Sequence, residues 1–386
     1  MPEIKRCRGV VYNQERVGNL ENEESKRMNY TREWLLLSKL PLLDSKKCRQ
    51  IVEYFGSPQK VFSASFNEIA KVPGLDKEAI TSIMQAEKMN IDNEIAELHK
   101  IGVNIVGFQE TLYPPNLLTI FDPPFILYVR GKLKKEDVNT IAIVGTRRAT
   151  TYGKLTARKL ARDLAKEGIT IISGMARGID TAAHWGALEA GGRTIAVLGC
   201  GVDVVYPPEN RRLMEEIIKN GAVISEFPLK SIPDAFHFPQ RNRIISGLSK
   251  GVAVVEAPLK SGALITVNFA LEQGREVFAV PGNISSPNSQ GTNRLIKEGA
   301  KLVETMEDIL EELNFPLIRK EKGRENNLSL SPEERKIFDL LKEKPLHIDS
   351  LVKLSNLSAS EVGGSLMRLE IKGLVRELPG KIFARD

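Results

Sequence analysis

Apolar positions along this chain change rhythm three times. Residues 1–27 are polar and charge-mixed, with no periodic pattern (NLENEESKR). REWLLLSKL then carries apolar residues at helical spacing. DSKKCRQIVEYFG follows, opened by a capping Asp44 and closed by Gly56. SPQKVFSAS, FNEIAKV and VPGLDKEAITSIM keep the helical period to about His99. IGVNIVGF reads as a strand, and the proline-rich stretch YPPNLLTIFDPPFILYVRG leads into another. From 138 to about 310, short continuous apolar runs alternate with helical segments: VNTIAIVGT, ITIISGM, RTIAVLGCG, AVISEFP, GVAVVEAP and REVFAVPG. A strand that is apolar on both faces is covered on both faces, which is the mark of a parallel sheet between helices. After the charged stretch PLIRKEKGRENNLSLSP the rhythm changes again. Helices EERKIFDLLKE, HIDSLVKLS and SASEVGGSLMRLEIKG precede two short strands around Pro379 and Gly380. That order is a winged helix-turn-helix pattern.

The pattern predicts an α/β protein built on a Rossmann-like doubly wound parallel sheet. It places a helical domain of helix-hairpin-helix or SAM-like type before the sheet and a winged helix after it. The expected boundaries are a disordered tail over 1–27, helices over 28–105, the Rossmann-like domain over 106–315, a linker over 316–330 and the winged helix over 331–386. Met28 stands just ahead of the first clear helix, so 1–27 is alternatively a mis-assigned start. The Pro73–Gly74 turn within VPGLDKEAITSIM has the form with which helix-hairpin-helix units offer N–H groups to a phosphate, although such a turn also serves simple packing.

Length and charge fit this division. The chain has 386 residues, 42% of them hydrophobic, and a net charge of +6. Between 138 and 302 there are 21 Lys+Arg against 14 Asp+Glu, enough to hold the whole positive excess. An anionic partner for the central domain is therefore expected. Cys7, Cys48 and Cys200 are widely separated, which supports neither a disulfide framework nor a zinc site. No apolar run approaches the roughly 18 residues that span a membrane, and MPEIKRCRGVVYNQERVG has no signal-peptide core. A cytoplasmic protein without a membrane partner is expected.

The candidate chemistry lies in turns that follow strands, where doubly wound folds bind ligands. IAIVGTRRATTYG supplies Gly145, Thr146, Arg147 and Arg148. A dinucleotide site would want G-x-G-x-x-G here. One glycine followed by two arginines suits a phosphodiester better, because guanidinium groups fork onto phosphate. SGMARGID supplies Ser173 and Gly174 as donors, Arg177 as a charge and Gly178 for an unusual backbone angle. Asp180 is expected to cap the next helix and His184 to pack within it. FHFPQRNRIISGLS sets Arg241, Asn242 and Arg243 at a helix start, with Phe236 and Phe238 as candidate stacking rings. LKSGALITVNF supplies Ser261, Gly262 and Thr266 at another helix start. There is no Walker A motif, no carboxylate cluster for magnesium and no Ser-His-Asp spacing. A binding surface without catalysis, cofactor or metal is the reading these residues favour.

Across roughly 110–310 the chain resembles the DNA-processing protein A family, also called DprA or Smf. The resemblance rests on VGTRRATTYG, SGMARGIDTAAHWGAL, TIAVLGCGVDVVYPPENRRL, SEFP, FHFPQRNRIISGLSKGVAVVEA, SGALITVNFALEQGREVFAVPG and NRLIKEGAKLV. It extends more weakly over the helical region and the winged helix. It implies single-stranded DNA binding in the Rossmann-like domain, a homodimer, and loading of the recombinase RecA onto incoming strands in natural transformation. It assigns DNA contacts to Arg147, to Arg241 and Arg243, and to Ser261 and Gly262, and it puts Leu295 and Ile296 near the dimer interface. One position departs from the family: a lysine after the Tyr-Pro of the third turn is replaced by Pro208, with Arg211 or Arg212 as the candidate substitute. Two other functions compete. A LOG-type nucleotide phosphoribohydrolase would need a glutamate where Phe269 stands, and an apolar ring is no general base. A duplex reader would act through SASEVGGSLMRLEIKG, but Glu361 and Glu370 sit there beside Arg368 and Lys372.

Overall fold

A computed structural model describes residues 31–315, 330–342, 345–372, 374–378 and 380–385. The expected tail, Met28 and the linker residues 316–329 lie outside the described residues. The chain divides into two compact units, with the boundary between Leu317 and Ile318.

The first unit opens with helical residues 31–38 and then Ser45–Phe55. Capping sets the second of these: the Asp44 carboxylate accepts the Lys47 N–H at 2.7 Å, and Gly56 ends the helix at φ 84°. The Pro73–Gly74 turn falls between helices Phe66–Ile69 and Lys77–Gln85, with Gly74 at φ 78°. These helices do not stand apart from the sheet. Trp34 packs edge-on to Phe108 at 5.8 Å and against Phe125 at 5.0 Å, and one apolar cluster runs from Trp34 through the sheet to Val277.

The described residues form a nine-stranded sheet. Its strands are β1 (Val103–Gly107), β2 (Ile126–Gly131), β3 (Thr140–Val144), β4 (Thr170–Ser173), β5 (Thr194–Val197), β6 (Ala222–Ser225), β7 (Gly251–Val254), β8 (Glu276–Ala279) and β9 (Lys301–Leu302). Their order is β1-β2-β6-β5-β4-β3-β7-β8-β9. β3 to β9 are mutually parallel; β1 and β2 extend the sheet as an antiparallel edge. β1 crosses the expected boundary at 105, because its partner is the strand after the proline-rich connector. The connecting helices are α1 (Thr151–Lys166), α2 (Ile179–Glu189), α3 (Arg211–Asn220), α4 (His237–Leu248), α5 (Ala263–Glu272), α6 (Gln290–Lys297) and α7 (Met306–Glu312). From β3 the chain steps outward to β4, β5 and β6, then crosses back to place β7 on the other side of β3. The turns leaving β3 and β7 therefore diverge, which opens a crevice at their carboxyl ends.

The second unit contains α8 (Pro332–Leu340), β10 (Leu346–His347), α9 (Ile348–Ser355), α10 (Ala359–Ile371), β11 (Val375–Leu378) and β12 (Ile382–Arg385). Its strands pair antiparallel in the order β10-β12-β11. Ile337, Leu351, Val362, Leu366, Leu369 and Phe383 fill its core. This is the winged-helix arrangement expected, with β10 added where His347 turns into α9.

Candidate nucleic-acid interface

One groove runs along the carboxyl edge of the sheet. Gly145 to Arg148 form one wall, and Pro258, Lys260, Ser261, Gly262 and Thr266 the other; Tyr206, Phe238 and Asn242 lie between them. A deeper recess continues beneath Arg147 and Phe238, reaching Gly174, Cys200 and Arg241.

The β3 turn is built by packing. A Cβ on Gly145 would stand 2.6 Å from the Ile179 side chain and 2.8 Å from the Glu256 carbonyl. Thr146 donates its N–H to that carbonyl at 2.7 Å, and its hydroxyl accepts from the Arg148 N–H at 3.2 Å. This points Arg147 and Arg148 into solvent. Neither makes an ion pair among the described residues, and the Arg147 guanidinium lies 5.1 Å over the Phe238 ring. The start of α1 is already occupied by an anion. Buried Glu256 accepts the Thr150 N–H at 2.9 Å and its hydroxyl at 2.5 Å, and the same hydroxyl caps Gly153. A carboxylate there satisfies the positive helix end. A phosphate on this turn would therefore meet arginine side chains, with no free helix terminus to meet.

The β4 turn departs from expectation. Asp180 does not cap α2; the cap is Gly178, and Asp180 lies inside the first turn. Its carboxylate reaches back to accept the N–H groups of Gly174 at 3.2 Å and Ala176 at 3.3 Å. Burial pushes this carboxyl up to about 6, against the pull of Arg241. The Ser173 hydroxyl is buried and donates to the Ile143 carbonyl at 2.7 Å. The donors expected from Ser173 and Gly174 are thus already used. Gly178 does need its glycine: at φ 80°, a Cβ would strike the carbonyls of Thr146 and Arg147. Arg177 pairs bidentately with Glu209, which raises its pKa. His184 packs inside, its Nδ1 2.7 Å from the Thr194 hydroxyl, and burial pushes it down to about 3.

The arginines of α4 separate. Two residues on a helix point about 200° apart. Arg241 turns inward and is only 4% exposed. It donates to the carbonyls of Val197 and of Gly174, the latter at 2.8 Å, and so ties the ends of β4 and β5 together. Burial lowers its pKa to about 10. Arg243 turns away from the groove, pairs with Glu226 and donates to the Asp122 carbonyl at 2.7 Å. Asn242 stays at the groove and donates to the Gly262 carbonyl at 3.4 Å. The Phe238 ring is half-buried against Tyr206, 5.7 Å between centroids, while Phe236 is 80% exposed.

The β7 turn contributes open backbone. The Ser261 hydroxyl accepts the Ala263 N–H at 3.2 Å, Gly262 faces open space, and Thr266 is buried beneath them. Lys260, not singled out from the sequence, is exposed without an ion pair among the described residues. Tyr206 and Glu256 were also missed, because each acts through a residue distant in the chain. Arg211 and Arg212 begin α3, and Arg212 lines a different cleft with Trp185 and Glu189. Leu295 and Ile296 lie half-buried on α6, and Leu295 packs against the main core.

In the winged-helix unit, Arg368 of α10 and Lys372, which caps its end, are committed internally. Arg368 Nε donates to Glu334 at 2.8 Å and Lys372 Nζ at 2.6 Å. The Glu334 side chain is 3% exposed. Glu361 is used in a capping box with Ser358.

Fold and groove define a Rossmann-like protein with a cationic, ring-bearing rim at the carboxyl edge of its sheet, carried on one chain with a winged helix. Residues 104–314 match the family described as DNA recombination-mediator protein A, and residues 323–381 match the DprA winged helix domain. The chain is 40% identical over 315 residues to Protein Smf of Escherichia coli (strain K12), covering 80% of this chain and 84% of that protein. It is 47% identical over 203 residues to the DNA processing protein DprA of Streptococcus pneumoniae, covering 53% and 72%. The solved structure of DNA processing protein A from Streptococcus pneumoniae aligns with a TM-score of 0.65 at 36% identity, over 73% of this chain and 98% of that one. The chain belongs to the DNA recombination-mediator protein A (DprA/Smf) family.

Proposed function

We propose that the groove holds the backbone and bases of single-stranded DNA, and that the protein is a non-catalytic recombination mediator. One observation carries this reading: the Arg147 guanidinium, with no ion pair among the described residues, stands over the half-buried Phe238 ring in a groove also lined by exposed Arg148 and Lys260. A ring with adjacent free cations serves an unpaired base and its phosphate, since stacking needs a base released from a duplex. The DNA-contacting set favoured by this geometry is Gly145 to Arg148, Phe238, Asn242 and Lys260 to Gly262, with buried Thr266 beneath them. Arg241 acts beneath them as a strut. Arg177 is held by Glu209, and Arg243 by Glu226.

The same geometry weighs against the phosphoribohydrolase reading. Asp180 and Glu256, the carboxylates at the groove, are both spent on backbone N–H groups. Phe269 lies half-buried on α5 in the position a catalytic glutamate would need. No described helix is long and apolar enough to cross a membrane. From its family membership we assign to this chain dimerisation near Leu295 and Ile296, loading of RecA in natural transformation, and action in the cytoplasm. The winged helix fits a protein-contact role better than duplex reading, because Arg368 and Lys372 are already paired with Glu334.

Fluorescence anisotropy with labelled oligothymidine and a matched duplex, over a salt series, tests the reading. Tight single-strand binding that weakens with salt, with the duplex far weaker, is expected. Equal binding of both, or release of free base from a nucleoside monophosphate, would sink it.

A further inference from the structure

Beyond the groove the surface carries two rings with almost no cover. Phe236 is 80% exposed and Phe121 is 93% exposed. Isolated exposed rings need no explanation, but both of these are tied to α4, the helix that carries Phe238. Phe236 stands directly before α4, two residues ahead of Phe238. Its neighbour His237 stacks on Phe227 at 4.0 Å. Arg243, on the same helix, pairs with Glu226 and donates to the Asp122 carbonyl at 2.7 Å. The Glu226–Arg243–Asp122 clamp therefore fastens the loop bearing Phe121 to the helix bearing Phe238. This gives Arg243 a positioning role in place of the expected direct contact.

The charge around Phe121 suits a phosphate. Lys46 Nζ lies 5.9 Å from the ring centroid and makes no ion pair among the described residues. It belongs to the first turn of helix Ser45–Phe55, which holds no acidic residue and has Lys47 beside it. The nearby carboxylates are engaged: Asp44 accepts the Lys47 N–H, while Asp122 and Glu226 both face Arg243. An open aromatic face and a cation with no ion pair among the described residues thus occur together.

We propose that Phe121 and Lys46 form a second stacking station for the strand held in the groove, reached across Phe236. The ligand is an unpaired nucleotide, with its base on Phe121 and its phosphate at Lys46. The proposal rests on the reading of the groove as a single-strand site, and it lengthens that site onto the junction between the helical region and the sheet.

Two oligothymidines, of about 6 and about 16 nucleotides, separate the proposals. Phe121→Ala is expected to weaken the longer one about tenfold and leave the shorter unchanged, since one stacked base is worth on the order of a factor of ten. Lys46→Ala should act in the same direction. Equal affinity of the parent and Phe121→Ala for both lengths overturns the second station. Arg147→Ala reports on the groove itself: it should weaken both lengths, and no effect on either overturns the groove reading and with it this extension. Photo-cross-linking of the parent protein to oligothymidine carrying single 5-iodouracils gives an independent readout. Cross-links to the Phe121 peptide from one end of the strand support the station. Cross-links confined to the Phe238 peptide refute it.

Discussion

Arg147→Ala is the sharpest test of the groove. The side chain is exposed, has no ion pair among the described residues and lies over the Phe238 ring, 5.1 Å from its centroid. Its removal leaves the core intact, so folding stability should stay within about 0.5 kcal/mol of the parent. Binding should suffer much more. A hydrogen bond to a charged group is worth about 1.5–3 kcal/mol, which is roughly a ten- to hundredfold loss of affinity. Loss of one phosphate contact should also lower the slope of log affinity against log salt by about 0.7 for a single strand. Arg147→Lys separates charge from shape: the slope should survive, while affinity falls because the planar fork over Phe238 is gone. Anisotropy titrations of both variants between about 50 and 200 mM salt supply the comparison. An Arg147→Ala protein with parental affinity and parental slope would refute the assignment of this turn.

Two further predictions concern the scaffold. Gly178→Ala should destabilise the protein by on the order of 3 kcal/mol in urea unfolding, because φ 80° is unfavourable for alanine and the new methyl meets the Thr146 and Arg147 carbonyls; a change below about 0.5 kcal/mol would contradict it. His184 is held neutral, with its pKa pushed from 6.5 to about 3, so the unfolded chain takes up the proton first and stability is lost as pH falls below 6.5. Asp180 acts oppositely, since its raised pKa makes the folded state take up the proton first as pH falls through about 6. Comparing the parent with His184→Gln removes the Asp180 contribution, and the parent's relative stability should drop by about 2 kcal/mol between pH 6.5 and about pH 5. A pH-independent difference would show that His184 is not buried neutral.

The sequence made the groove's location legible because each of its turns follows a continuous apolar strand and is marked by Gly, Ser or Arg. Gly145, Arg147, Gly178 and Gly262 could be read from that punctuation alone. What each polar group faces could not. Arg241 and Arg243 look equivalent in FPQRNR, yet helix phase sends one beneath the groove and the other to Glu226 and Asp122. Asp180 sits where a cap belongs, but its partners are N–H groups four and six residues back. Glu256 meets Thr150 across 106 residues, and Lys46 meets Phe121 only after the helical region has packed onto the sheet. Long-range pairing of this kind leaves no local period.

The crossing of β7 past β3 also orders events in time. During synthesis the amino-terminal strands emerge first. A chain made only as far as β6 already carries Arg147 and Arg177, but Gly145 and Thr146 have no Glu256 carbonyl to close against and no opposite wall exists. The groove comes into being when the segment from Gly251 to Thr266 docks, long after its first arginine has left the ribosome. Nascent chains thus lack the proposed strand-binding groove until that segment has been made.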